Sequence, residues 1–258
     1  MIKYFDITCT ATLRPELLSR TLQSFTGNLF EENIRKARLI INIDCIGAEN
    51  GLESVAKINS ILQIIKSYPF YRREINICRN PNFAKAFAWC MQQIENDFVF
   101  HLEEDWELLI QIDFERMLEM FSKYEDLVHL RLSAFKSEEE RCKNWNKFLN
   151  WNGDFFEVKA EDRGVIGWAG HPSMNRAGFI LECMQYIDLE ANPEKQIKGR
   201  RYSHPINSLI EKSRFGCFHP QNRSKAILDI GRDWMVANRW RKSGNKAFFT
   251  NWEKTTDE

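Results

Sequence analysis

The sequence predicts an α/β protein, with a mostly parallel central sheet covered by helices on both faces and folded as one compact domain. Three observations carry this. Strand and helix patterns alternate through the first hundred residues. The strands are near-continuous apolar runs, as in sheets buried on both sides. Hydrophobic residues make up 43% and aromatics 13% of the 258 residues, spread along the chain, which is enough for a large core and argues against disorder.

Ile2 to Thr10, rich in β-branched and aromatic residues, is the first predicted strand. Leu17, Leu18, Leu22 and Phe25 then recur at helical spacing, with Pro15 in the first turn and Thr12 or a neighbour as cap. Arg38 to Asp44 is the second strand, ended by Gly47 and Gly51. Ser54 to Tyr68 is a helix with Val55, Ile58, Ile61, Leu62 and Ile65 on one face. Glu74 to Cys78 is a strand, Phe83 to Ile94 a helix and Asp97 to Leu102 a fourth strand. Ligands of such sheets bind at the carboxyl ends of strands. That directs attention to Thr10 to Arg14, Asp44, Arg79 to Asn82, and Glu103 to Asp105.

The second half changes character and holds seven of the eight tryptophans, counting from Trp106. Phe114–Tyr124 reads as a helix, Leu127–Leu132 as a strand and Ser137–Lys143 as an exposed charged segment. Gly164–Ala169 reads as a strand running into His171-Pro172-Ser173, and Arg176–Tyr186 as a helix. Asn192-Pro193-Glu194 is a turn into another helix, Ile206–Lys212 is helical, Phe215–His219 is a strand, and the tail from Trp234 is mixed. No repeat or linker interrupts the chain. Residues 1–106 form a nucleotide-binding half and 107–258 a substrate half.

Lys+Arg and Asp+Glu both number 36, so the formal charge is zero. That argues against a nucleic-acid binder, which needs cations to neutralise phosphates. Seven cysteines lie singly at 9, 45, 78, 90, 142, 183 and 217, with no CxxC pair, as reduced core residues of a cytoplasmic protein do. The N-terminus has no apolar leader segment, and no apolar run approaches the roughly 18 residues of a membrane span. The basic tail (Arg239, Arg241, Lys242, Lys246 with Trp240, Phe248 and Phe249) reads in three ways: as a cover over a bound ligand, as a peripheral contact with anionic lipid, or as a snorkelling surface.

The strongest chemical signal is Phe98-Val99-Phe100-His101-Leu102-Glu103-Glu104-Asp105, a strand running into three adjacent carboxylates. Carboxylates that close raise one another's pKa, and a divalent cation relieves the repulsion. Oxygen ligands suit Mg²⁺ or Mn²⁺, which complete their shells with water and substrate phosphate. The other reading is a solvated acidic turn.

Here the chain resembles the nucleotide-sugar glycosyltransferases of the GT-A fold, close in pattern to the family-2-like set. Four ordered blocks carry the resemblance over roughly residues 4–106: Thr10-Ala11-Thr12-Leu13-Arg14-Pro15 through Thr21-Leu22-Gln23-Ser24-Phe25; Ile41-Asn42-Ile43-Asp44; Arg79-Asn80-Pro81-Asn82-Phe83-Ala84-Lys85-Ala86; and the acidic strand end. Glu103 stands where that family has Asp. The resemblance implies a Rossmann-like GT-A domain and a metal-dependent, inverting hexosyltransferase using Mn²⁺ or Mg²⁺. Its donor would be a nucleotide-diphosphate sugar and its acceptor a hydroxyl of a glycan, lipid-linked carrier or protein. It implies that Thr10, Thr12 and Arg14 line the nucleotide pocket, that Asp44 accepts from base or ribose, and that Arg79 and Lys85 lie near ribose or diphosphate. Asp105 would bind the metal, with Glu103 reaching sugar, ribose or metal and Glu104 contacting the nucleotide sugar. Taken alone, Arg14 reads equally as a surface residue, Lys85 as part of a solvated helix face and Asp44 as a turn residue.

An inverting member needs a base on the acceptor side, and Glu194 is the main candidate, 89 residues after Asp105. Its alternative is a first-turn helix acid. His204, Asp188 and Glu190 are rivals, and a retaining mechanism would need no such base. Trp168 offers a flat face to a sugar ring and His171 a hydrogen bond, or both simply pack in a turn. Asp229 and Arg232, in Ile227–Trp234, resemble a C-terminal metal and diphosphate block. A nucleotidyltransferase would carry a glycine-rich loop after the first strand, and Thr10–Arg14 contains no glycine. A binding module without turnover is the remaining alternative.

Overall fold

The computed structural model describes residues 4–134, 147–198, 204–218, 225–243 and 251–255. Its main sheet is built from β1 (Phe5–Ala11), β2 (Ala37–Asp44), β3 (Arg72–Cys78), β4 (Phe98–Glu103), β6 (Leu127–Leu132), β7 (Leu149–Trp151), β8 (Phe156–Val158), β9 (Ser173–Arg176) and β10 (Arg214–Phe218). Among the described residues these nine strands run in the order β3-β2-β1-β4-β9-β6-β10-β8-β7. β3, β2, β1 and β4 are parallel neighbours, and β6 pairs parallel with β10. β9 is inserted antiparallel between β4 and β6. β8 is likewise reversed against β10 and β7. The sheet is therefore mostly parallel, as expected.

Two cores lie on the two faces of the sheet, and alternate residues of β4 feed both. On β4, Phe100 and Leu102 pack with Leu22 and Phe25 of helix α1 (Pro15–Phe25), Ile61 and Ile65 of α2 (Gly51–Ser67) and Phe114 and Phe121 of α4 (Phe114–Lys123). Val99 faces the other way, joining Phe87 and Met91 of α3 (Phe83–Gln92) and Phe179 and Ile180 of the helix Ala177–Met184. Both faces are covered by helices.

Several local expectations need correction. Thr12 does not cap α1: Arg14 occupies the cap position without a side-chain bond, and Thr12 turns to Glu104 instead. α2 starts three residues before the expected Ser54, because the Asn50 side chain accepts from Glu53 N. Val55 lies on its exposed side. Gly164–Ala169 is not a strand. Arg163–Ile166 forms a helical turn closed by Gly167 N–H donating to Arg163 O at 2.9 Å. A Cβ at Gly167 would lie 2.3 Å from that carbonyl oxygen, so glycine is what allows the turn to close there.

The strand of this region is Ser173–Arg176, hidden in the sequence by its polarity. Its Ser173 and Asn175 are buried, and Asn175 Oδ1 bonds His129 Nδ1 at 2.7 Å. A smaller sheet joins β5 (Trp106–Leu108) to β11 (Ile227–Asp229), and a hairpin joins β12 (Trp240–Ser243) to β13 (Asn251–Lys254). The charged segment Ser137–Lys143, the tail residues Lys246, Phe248 and Phe249, and Cys142 lie outside the described residues. The other six cysteines are free thiols, four of them buried. No helix of the described residues is long and apolar enough to cross a membrane.

Candidate active site

The parallel strands bring the end of β1 beside the end of β4, with Thr10 level with Glu103. The β4 acids then diverge into separate environments. Glu104 turns inward, 4% exposed, and one of its oxygens accepts from Thr12 N, Thr12 Oγ1, Arg14 Nε and Arg14 Nη2 at 2.6–3.0 Å. Burial alone would raise its pKa, but the Arg14 charge and these bonds outweigh it and hold the carboxyl below its usual range.

Arg14 is 2% exposed and also donates to Asp105 Oδ2 at 3.0 Å. Its guanidinium lies between the rings of Trp234 and Trp252, 5.4 and 5.1 Å from their centroids. It is thus the counter-ion of the acid turn rather than a surface residue.

Asp105 and Glu103 keep pKa values above their usual range. For Asp105 burial is the main cause and the Glu104 charge the next, opposed by Arg14 and Lys242. Glu103 is pushed up to about 8 by burial and then by Asp105. Its partner is Trp106 Nε1–H, at 3.2 Å.

Asp105 is fixed from the far side by the C-terminal block. Ile230 N donates to Asp105 O at 2.9 Å, and Gly231 N to Asp229 Oδ1 at 3.0 Å. A Cβ on Gly231 would fall 2.2 Å from Asp105 Oδ2. Gly231→Ala is therefore expected to displace the Asp105 carboxylate and lower activity at least tenfold, with a loss of about 1–3 kcal/mol in stability from overpacking. Parallel turnover and urea-unfolding measurements check this, and an unaffected variant would mean that Asp105 is not held by this contact.

Other expected residues are more dispersed. Asp44 is 7% exposed and accepts from Asn42 Nδ2 at 2.9 Å; burial raises its pKa. Arg79 is exposed, and Lys85 Nζ is 3.8 Å from Glu190, on the surface. Arg232 pairs with Asp229 at 2.9 Å and is otherwise exposed. Trp168 is only 1% exposed, its ring enclosed by Phe87, His101 and His129, so neither face is open for sugar stacking. His171 sits 5.1 Å, centroid to centroid, from Trp106. Glu194, in the helix Pro193–Lys198, accepts from Gly170 N at 3.4 Å. It is close enough for its charge to raise the pKa of Glu103. His204 opens the helix His204–Lys212, and its side chain is outside the described part. Asp188 instead accepts from Glu190 N at 2.9 Å, a local turn.

No protein-family model matches the chain, and no curated protein matches it. Solved structures do. A structure of TarS 1–349 from S. aureus superposes with a TM-score of 0.53 at 10% identity, covering 92% of this chain and 63% of that one. The mannosyltransferase PcManGT from Pyrobaculum calidifontis, in complex with GDP-Man and Mn²⁺, gives 0.55 at 8% identity, covering 84% and 54%. The chain has a GT-A-like fold. It spans 36% of a longer TarS chain, which it matches with a TM-score of 0.51.

The acidic end of β4 is where the sequence reading expects a metal. The expected trio of Asp105, Glu103 and Asp229 does not converge: among the described residues no three His, Cys, Asp or Glu form a ready metal site. Asp229 is turned to Arg232 and Gly231 N, and Arg14 already holds one Asp105 oxygen. Two hard carboxylates, Glu103 and Asp105, both held above their usual pKa range, nevertheless suit Mg²⁺ or Mn²⁺, which are commonly held by one or two carboxylates plus substrate phosphates. The Trp234–Arg14–Trp252 sandwich has no counterpart in the sequence reading, which names Lys242 in the basic tail but not as the cation opposing both Glu103 and Asp105. The density of aromatic and basic residues in the tail was the available signal.

Proposed function

We propose that this protein transfers a sugar, a hexose, from a nucleoside-diphosphate sugar to an acceptor hydroxyl with inversion. The observation that supports this is the placement of Glu103 and Asp105 at the carboxyl end of β4, beside the end of β1, with Glu103 within electrostatic reach of Glu194. One side would carry the leaving diphosphate and the other the acceptor.

In the proposed reaction Glu194 takes the proton of the acceptor hydroxyl. The acceptor oxygen forms its bond to the anomeric carbon, and the bond from that carbon to the diphosphate breaks, its electron pair leaving with the nucleotide. Asp105, with Glu103, would hold Mn²⁺ or Mg²⁺, which supplies charge neutralisation to the leaving diphosphate. Lys242 adds a cation on the same side. Thr10 and Thr12 shape the nucleotide pocket, and Asp44 accepts from base or ribose. Arg79 and Lys85 stand at its rim.

The primary test is a screen of UDP- and GDP-sugars with Mn²⁺ or Mg²⁺, measuring release of the nucleoside diphosphate. No release with any donor would overturn the reading. Glu194→Gln is expected to lower kcat for transfer by about 10²–10⁴-fold while donor affinity changes little. An unchanged kcat would remove Glu194 as base.

The Arg14–Asp105 bond favours a second reading, a nucleotide-sugar-binding module that uses no metal. Calorimetry with UDP and GDP, with and without Mn²⁺, separates the two: metal-independent binding without sugar release supports the module.

A further inference from the structure

Beyond the ends of β6 and β10 lies a cavity of about 290 Å³, lined among others by Arg131, Ser133, Trp168, His171, Cys217 and Glu194. Ligand pockets commonly span about 300–1,000 Å³, so this one suits a single small ring.

Its lining holds one carboxylate, Glu194, and two polar side chains that lack a partner. Ser133 is 2% and Trp168 1% exposed, yet neither Ser133 Oγ nor Trp168 Nε1 has a hydrogen-bond partner. An indole N–H can only donate, and a buried donor left unpaired is costly, so these groups call for a ligand that brings oxygens. Arg131 is half-buried beside them. It donates through Nη1 to Ile166 O at 2.8 Å, and among the described residues no carboxylate forms an ion pair with it. The buried Arg14 and Arg38, by contrast, are each held by two carboxylates. A guanidinium without a carboxylate, beside two orphan buried groups able to donate, is a recognition set for an anion on a hydroxylated ring.

We propose that this cavity binds an acidic sugar unit of the acceptor, one bearing a carboxylate or a phosphate, with Arg131 as its counter-ion and Trp168 Nε1 and Ser133 Oγ as donors. This rests on the glycosyl-transfer reading, because the presence of Glu194 in the same cavity makes it the acceptor side. The shared chemistry is an anionic oxygen cluster on a polyhydroxylated ring.

The test is NMR titration of the ¹⁵N-labelled wild-type chain, with and without UDP and MgCl₂, following the assigned Trp168 indole N–H. Glucuronate, glucose 6-phosphate and glucose are the probes. The expected result is that one or both anionic sugars shift this resonance at concentrations at least tenfold below those glucose requires. Response to glucuronate alone identifies a carboxylate, and response to glucose 6-phosphate alone a phosphate. Arg131→Gln is expected to raise the required concentration at least tenfold. If that variant does not fold, the wild-type comparison of acidic and neutral sugar decides by itself.

Equal response to glucose, no response to either anionic sugar, or a folded Arg131→Gln chain that titrates like wild type would overturn the proposal. Nucleotide-sugar hydrolysis by the same wild-type sample is read separately. A shift without hydrolysis with any donor overturns the transfer reading and leaves an anionic-sugar pocket. Hydrolysis without a shift overturns the pocket alone.

Discussion

Asp105→Asn is expected to lower kcat/KM for sugar transfer by about a thousandfold, the scale of losing one preorganised charge-stabilising group at a reaction centre. The chain should fold as before. Asn has nearly the volume of Asp, and its side-chain oxygen can still accept from Arg14, which keeps Glu104 as its main partner at 2.6 Å. The carboxylate at 105 is held against its own preference, since burial and the neighbouring Glu104 both push its pKa up. Removing a charge that the fold disfavours should leave the melting temperature unchanged or higher. Steady-state transfer rates and a thermal melt on the same preparation check both halves. Undiminished turnover in Asp105→Asn would sink the proposed role, whereas a large loss of stability would mean that Asp105 is mainly structural.

The second large effect concerns stability. Glu104→Ala removes the single acceptor of four hydrogen bonds from Thr12 and Arg14. It leaves a guanidinium that is 2% exposed with one remaining carboxylate, Asp105. Breaking a buried ion pair from one side costs about 3–5 kcal/mol, much of it the desolvation of the charge left behind. In a chain of this size that corresponds to a drop of roughly 10 °C in melting temperature. Urea unfolding of wild type, Glu104→Ala, Arg14→Met and the double variant measures it. The double variant is expected to recover part of the loss, because it leaves no unpaired charge. A Glu104→Ala cost below about 1 kcal/mol would show that the pair behaves as a surface bridge.

These two neighbours, one proposed for chemistry and one held in a buried ion pair, are not told apart by their local pattern; only the resemblance singles out Asp105. Glu103, Glu104 and Asp105 read as a single acidic cluster. Only the alternation of side chains at the end of β4 and the arrival of Arg14 from β1 sorted them. The resemblance to GT-A glycosyltransferases placed Arg14 at the nucleotide, whereas its partners lie 90 and 91 residues away along the chain. No local pattern encodes such a pairing.

Trp168 shows the same limit. A tryptophan in a glycine-flanked turn suggests a stacking platform, but Phe87 and two buried histidines enclose it and leave its N–H edge as the feature that matters. Arg131 and Ser133 also stand at the carboxyl end of a parallel strand, β6, the kind of position that ligand-binding logic singles out. Their place becomes legible only in the fold, where β9 bridges β4 and β6 into the same sheet.

What the sequence determined by itself was the layout that depends on local order: buried parallel strands as unbroken apolar runs, helices by their repeating apolar face, and the strand ends where polar groups collect. The zero net charge was legible too, and so was the acidic end of β4. The tertiary structure alone decided which charges neutralise which. It buried Arg14 between two tryptophans from the C-terminal block, set Lys242 against Glu103 and Asp105, brought Glu194 within electrostatic reach of Glu103, and inserted the polar strand Ser173–Arg176 into the sheet. The physical reason is that periodicity is a property of neighbouring residues, whereas the energy of a buried charge depends on partners and solvent exclusion supplied by distant segments.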